Sequence, residues 1–403
     1  MTFNEAKELL EKYDQTQILK YYDELDDETK NALLTQISET DFDVIKRSLP
    51  VQPEKRGEIT PIEVMTIDKI NAKKDVYKAT GEKAIKEGKV AALLLAGGMG
   101  TRLGSDDPKG MYNVGKTHDL FIFECLIKNI LDVSDNITLF IMTSDKNHDK
   151  TVAFLKEKNY FGYNSDNIFF FKQEMAAATD FNGKVYLEEK GKMATSPNGN
   201  GGAYSSLIRA DLHKVLEERG IEWINMFAVD NVLQRICDPV FVGAVLEEGF
   251  MGGAKVIKKA DPDEKVGVMC LEDGHPSIVE YYELTEAMRD AKDANGEYLY
   301  YYGVILNYLF SVKELDRVRD LAMPLHVVDK KIPYIDENGN LVSPEEPNGH
   351  KFETLILDMI KMTENSLPYE VVRNKEFAPI KNKTGVDSVE SARALLEENG
   401  VVL

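Results

Sequence analysis

Apolar side chains recur at helical spacing near the start of the chain. Leu9, Leu10 and Tyr13, then Ile18, Leu19 and Tyr22, stand among charged residues, so residues 2–48 read as short amphipathic helices. Asp26-Asp27-Glu28 ahead of Leu33 and Leu34 marks a helix start, with acids at the positive end of the dipole. Residues 50–62 hold Pro50, Pro53 and Pro61 and read as a connector. From residue 89 the texture changes. Lys89–Ala96 is an apolar run closing in glycines, the pattern of a strand buried on both faces. Ile137–Thr143, Ile168–Lys172, Trp223–Val229, Ala254–Ile257 and Val266–Cys270 are further strand candidates. Helical stretches, Phe121–Leu131 and Gly202–Glu218 among them, lie between, and Tyr300-Tyr301-Tyr302 reads as strand. Strand alternating with helix predicts an α/β sheet that binds ligands at the carboxyl ends of its strands. Turn signals at Asn338-Gly339-Asn340 and Pro347-Asn348-Gly349, with a helix at Lys351–Met362, predict a smaller C-terminal domain. The expected organisation is a helical N-terminal extension (1–85), a central domain (86–330) and a C-terminal domain (331–403).

Charge narrows the classes. Among 403 residues, 49 Lys and Arg against 69 Asp and Glu give a net charge of −20. That argues against a general nucleic-acid binder, because duplex binding starts from a cationic face. It leaves room for one phosphate compound in a locally positive cleft. No apolar run approaches the roughly 18–20 residues of a membrane span, and the acidic, amphipathic start is unlike a signal peptide. Cys125, Cys237 and Cys270 are far apart and odd in number, as expected of reduced thiols in a cytoplasmic protein. The six histidines show no metal-ligand spacing.

The most informative stretch is the loop after the first strand, Leu95-Ala96-Gly97-Gly98-Met99-Gly100-Thr101-Arg102-Leu103-Gly104, followed by Pro108-Lys109-Gly110-Met111. Glycines let the backbone turn sharply and bring its N–H groups against phosphate oxygens. Arg102 adds a planar fork of donors and Lys109 a mobile point charge. No register provides the Walker A spacing, and a dinucleotide fingerprint starting at Gly98 would need glycine where Leu103 stands. Asp230 follows the apolar run Trp223–Val229 and should emerge at the carboxyl edge, where a carboxylate either holds Mg²⁺ or caps the next helix. Asn198–Gly202 is a second loop of close backbone approach, or an ordinary Asn-Gly turn.

Further segments join this loop in order: Phe170-Phe171-Lys172-Gln173, Ser196-Pro197-Asn198-Gly199-Asn200-Gly201-Gly202, Val229-Asp230-Asn231, Val279-Glu280-Tyr281 and Lys330–Tyr334. Pro347–Lys351, Tyr369–Arg373 and Ala378–Asn382 continue the series. Together they resemble the eukaryotic-type UDP-N-acetylglucosamine pyrophosphorylases and their UDP-sugar pyrophosphorylase relatives, over residues 60–385 or so. The resemblance implies a Rossmann-like, glycosyltransferase-A-like mixed sheet flanked by helices. It implies attack by a sugar 1-phosphate oxygen on the α-phosphate of UTP, with pyrophosphate leaving and Mg²⁺ as cofactor. Arg102, Lys109 and Asp230 would be catalytic, with Asp230 the metal ligand. Leu95, Ala96, Gly97 and Gly98 would form the base pocket with Gln173 and Gly199, and Asn200 would reach the ribose or sugar. Glu280 and Tyr281 would face the sugar, and Lys351 and Lys381 the phosphates. Val304 stands where the family carries asparagine beside the sugar, and Leu355 and Leu357 replace two aromatic positions. N-acetylglucosamine 1-phosphate is the first expectation, with glucose or galactose 1-phosphate as the alternative. A non-catalytic UDP-sugar binder and an NAD-dependent oxidoreductase are the rivals from other classes. Oligomeric state is not written in these residues.

Overall fold

The apolar run at Val90 becomes the middle of a ten-stranded mixed sheet. The protein is described here by a computed structural model covering residues 1–49, 56–319, 321 and 323–403, so the first half of the proline-containing connector lies outside the described residues. In chain order the strands are β1 (Ile59–Thr60), β2 (Val90–Leu95), β3 (Thr138–Thr143), β4 (Ile168–Lys172) and β5 (Trp223–Ala228). They continue with β6 (Gly252–Lys258), β7 (Val268–Glu272), β8 (His275–Val279), β9 (Tyr302–Ser311) and β10 (Leu367–Glu370). The spatial order is β1-β7-β9-β5-β2-β3-β4, with β8 on β7 and with β6 joining β9 to β10. Strands β4, β3, β2 and β5 are parallel, and β9 runs antiparallel to β5. Leu93 lies opposite Phe140 on one side and Met226 on the other, and every residue of β2 is buried. That double burial is why β2 shows no alternation. Because these strands are parallel, the loops leaving β2, β4 and β5 gather at one edge of the sheet.

Helices Ile122–Leu131, Pro239–Glu247 and Val389–Glu398 supply Leu126, Phe241 and Leu396 to one core with Leu94, Ile141 and Leu309. Helix Lys74–Lys86 approaches Pro239–Glu247 so closely that a Cβ on Gly81 would meet the Pro239 carbonyl at 1.9 Å. One on Gly243 would meet the Tyr77 carbonyl at 1.7 Å. Glycine is required at both crossings.

The chain forms two compact units, and they cut across the three contiguous segments expected from the sequence. The larger holds the described parts of Arg56–Gln173, Ala203–Ala322 and Ile356–Leu403. The smaller holds those of Met1–Lys55, Glu174–Gly202 and Met323–Leu355. In the smaller unit, Leu10, Ile18, Leu33 and Ile37 of the N-terminal segment bury against Val185, Leu187, Met193 and Phe352. Gln15 and Gln36 each clasp a backbone edge, Gln15 at Gly183 and Val185 and Gln36 at Met193. These helices therefore share a core with segments distant in the chain, which local periodicity does not reveal.

Three local expectations change. Lys351–Met362 is not one helix: Gly349–Glu353 is a strand paired with His326–Lys330, and the helix starts at Ile356. Burial of Phe352 in the smaller unit's core explains the strand. Gly202–Glu218 is two helices, Ala203–Arg209 and His213–Arg219, separated near Asp211 at φ 63°. Tyr300 and Tyr301 precede β9, which begins at Tyr302. The Asp26 helix start is as expected, its carboxylate accepting from Thr29 N at 2.8 Å. Cys125, Cys237 and Cys270 are buried free thiols. Among the described residues no helix is long and apolar enough to cross a membrane.

Candidate active site

The loop after β2 is held from behind and left open in front. Asn147, fully buried, donates its Nδ2 to the carbonyls of Ala96 at 2.8 Å and Gly98 at 3.3 Å, while its Oδ1 accepts from Ser144 N. Gly98 O also accepts from Lys109 N, and Gly100 N donates to Asp107 O, so the two halves of the loop are stitched together. With these carbonyls engaged, the N–H groups of Gly97, Gly98 and Met99 have no partner among the described residues. They form a cradle of donors of the kind that binds anions. Gln173, just past β4, is buried and lies against this loop: a Cβ at Gly97 would stand 2.7 Å from its Nε2. Asn147 went unremarked in the sequence, and its signal was its place just beyond the carboxyl end of β3.

Beside the cradle stands a cluster of charges. Lys109 Nζ lies 3.9 Å from Asp230 Oδ2. Burial presses the Lys109 ammonium below the usual lysine range; Asp230 opposes the shift, and the charges of Lys381 and Arg102 add to it. The structure thus brings Arg102, Lys109, Asp230 and Lys381 together. Asp230 caps no helix, since Asp238 caps Pro239–Glu247 by accepting from Val240 N at 3.0 Å. Lys381 comes from 150 residues further along, and a latch explains how. Asn231 donates to Glu376 O at 2.7 Å and accepts from Ala378 N at 2.9 Å, and Ile380 N donates to Asp230 O. Beneath the latch, Lys255 Nζ pairs with Glu376 at 2.5 Å, both buried. Lys381 itself pairs with Asp387 at 3.0 Å.

Glu280 and Val304 both come up to Gly267 in the same unit. Val304 N donates to Gly267 O at 2.9 Å, and a Cβ on Gly267 would stand 3.6 Å from Glu280 Oε2. Tyr281 is exposed and packs edge-on against Tyr282, ring centres 5.3 Å apart. Gly199, Asn200 and Lys351 belong to the smaller unit. There Gly199 has φ +89°, and a Cβ on it would strike the Thr354 carbonyl at 2.1 Å. Thr354 N in turn donates to Asn198 O at 2.7 Å, so this loop is pressed onto the chain just before Leu355. Lys351 sits opposite Val328 in that unit's three-stranded sheet. Leu357 lies in the first turn of the helix Ile356–Met362 of the larger unit.

Residues 42–403 match the family described as UTP–glucose-1-phosphate uridylyltransferase. The chain belongs to this family. Its members are UDP-sugar pyrophosphorylases, nucleotidyltransferases by class. The chain is 35% identical to the UDP-N-acetylglucosamine pyrophosphorylase of Saccharomyces cerevisiae, over 96% of this chain and 84% of the relative. It is 35% identical to the mouse UDP-N-acetylhexosamine pyrophosphorylase-like protein 1, over 94% of this chain and 80% of the relative. The crystal structure of the Trypanosoma brucei uridine diphosphate N-acetylglucosamine pyrophosphorylase, in complex with an inhibitor, is similar at a TM-score of 0.82 and 27% identity. That match covers 98% of this chain and 84% of the other. The mixed sheet flanked by helices is thus the expected pyrophosphorylase fold.

Proposed function

We propose that the chain transfers uridylyl from UTP to N-acetylglucosamine 1-phosphate, giving UDP-N-acetylglucosamine and pyrophosphate. One observation carries the reading: three cations and one carboxylate converge beside an open backbone cradle at the carboxyl edge of β2 and β5. A phosphate oxygen of the sugar 1-phosphate attacks the α-phosphorus of UTP in line. The new P–O bond forms as the α–β bridge breaks, and pyrophosphate leaves with the electron pair. Such transfer depends on positioning and charge neutralisation more than on a strong base. Arg102 and Lys109 bind the triphosphate and the pyrophosphate as it departs. The loop Leu95–Gly98 and Gln173 hold the uracil, Gln173 by its amide.

Asp230 would hold Mg²⁺. The donor set suits that ion, which keeps several waters and takes oxygens from one or two carboxylates and the substrate; no cluster of three ligating side chains exists among the described residues. When bound, the ion offsets charge on the phosphate oxygens. Gly199 is assigned to the uracil, Asn200 to the ribose or the sugar, Lys351 and Lys381 to phosphates, and Glu280 and Tyr281 to the sugar. Val304 offers that sugar no side-chain donor or acceptor, so preference for the N-acetylamino sugar rests on the names of the relatives. The three free thiols fit a reducing compartment, the cytoplasm.

Mg²⁺-dependent pyrophosphate release from UTP with a panel of sugar 1-phosphates tests the reading. Fastest turnover is expected with N-acetylglucosamine 1-phosphate. Equal or faster turnover of glucose 1-phosphate would replace the sugar. Binding of a UDP-sugar with no release from any partner would make the chain a binding protein.

A further inference from the structure

The turn that carries Glu280 and Tyr281 is held by a residue more than 200 positions away. Glu280 N donates to Glu283 Oε2 at 2.9 Å, and Glu283 N donates to Glu280 O, closing the turn. Glu283 is gripped by Arg56 through two contacts, Nε at 3.1 Å and Nη2 at 2.7 Å. The same guanidinium donates from Nη2 to the Ile278 carbonyl at 3.1 Å and from Nη1 to Glu272 at 2.9 Å. Glu272, almost wholly buried, also takes Lys361 Nζ, Gly57 N and the Ser277 hydroxyl, each at 2.9 Å. Lys361 sits on helix Ile356–Met362, the helix that begins beside Leu357. One buried carboxylate therefore ties together the strand pair β7–β8, the turn after β8 and that helix.

Ion pairs removed from water add little net stability, since desolvation offsets their attraction. Their directional hydrogen bonds fix geometry instead. Arg56 reaches both the anchor and the turn, and its planar fork sets the angle between them.

We propose that Arg56 is a positioning residue for sugar selection, holding Glu280 and Tyr281 in place through Glu283, with Glu272 and Lys361 as its anchor. The inference rests on the reading that Glu280 faces the sugar. Arg56 touches no substrate; it sets where the turn stands.

Steady-state kinetics of the full chain test it. Arg56→Met should raise KM for the sugar 1-phosphate about tenfold, with KM for UTP within about twofold. Arg56→Lys should not restore the sugar KM, because one ammonium cannot reproduce the fork. Glu283→Gln should raise the sugar KM less, keeping one carbonyl acceptor. Thermal melting by circular dichroism reports whether each variant is folded. A folded Arg56→Met with unchanged sugar KM overturns the inference, as does an equal rise in both KM values. If Arg56→Met does not fold, Glu283→Gln decides by the same split. Glu280→Gln separates the two levels of the claim. Should it leave the sugar KM unmoved, Glu280 does not face the sugar and both fall; should it raise that KM while Arg56→Met does not, the positioning role alone fails.

Discussion

The ionic cluster around Lys109 and the one around Glu272, both in the larger unit, are balanced differently. Around Lys109, the cations Arg102, Lys109 and Lys381 face the carboxylates Asp230 and Asp387, three charges against two. Around Glu272, the cations Arg56 and Lys361 face Glu272 and Glu283, two against two. The first leaves a positive excess in a chain whose net charge is −20. Burial and the like charges of Lys381 and Arg102 push the Lys109 ammonium down, against the pull of Asp230. The second is complete: burial opposes ionisation of Glu272, yet the Gly57 N–H, Lys361, Arg56 and Ser277 hold its carboxyl down to about 2. A site built for an anion must be incomplete without it, whereas a scaffold must be complete beforehand.

The sharpest break of this contrast is Lys109→Met. Removing one preorganised charge from the reacting phosphates should lower kcat by about 10²–10³-fold. The melting temperature should hold or rise, since a buried and repelled ammonium is gone. Near-normal turnover together with a marked loss of stability would mean that Lys109 is structural and the two clusters are of one kind.

Glu272→Gln should do the reverse. It leaves Arg56 and Lys361 facing each other without the charge between them, and should cost about 3 kcal/mol of unfolding free energy near neutral pH. The sign with pH follows from a folded-state value near 2 against an ordinary 4.5. A carboxyl with a depressed pKa stabilises fully above about pH 4.5 and loses that contribution as pH falls toward 2. Urea unfolding of both proteins should therefore show the gap closing across that interval. A gap as wide at about pH 3 as at pH 7 would remove the ionic explanation.

How legible these clusters were in the sequence follows from how local they are. The loop from Leu95 to Lys109 was readable because strand, glycines and cations are contiguous. Asp230 was readable as the residue at the end of an apolar run. Lys381 had no local mark; the Asn231 latch and the Lys255–Glu376 pair that bring it to Asp230 are tertiary contacts. Arg56 likewise lies in a stretch read as connector, and its partners are more than 200 residues distant. The Lys351–Met362 segment misled because Phe352 joins a core built largely from residues 6–45. The division into units escaped for the same reason: apolar faces do not announce their partners.

The smallest effect concerns the cradle itself, where two neighbouring glycines should behave differently. A methyl at Gly97 would come 2.7 Å from Gln173 Nε2, the far end of a flexible side chain that can yield. Gly97→Ala should therefore move the Gln173 amide and raise KM for UTP about fivefold, at a cost on the scale of one hydrogen bond, with kcat near normal. A methyl at Gly98 meets nothing within 4 Å in the free chain. Any loss in Gly98→Ala must then come from what is bound there, so its effect on UTP affinity measures how closely the nucleotide approaches the backbone. Wild-type affinity in Gly98→Ala would place the nucleotide away from that residue and confine the backbone contact to Gly97 and Met99.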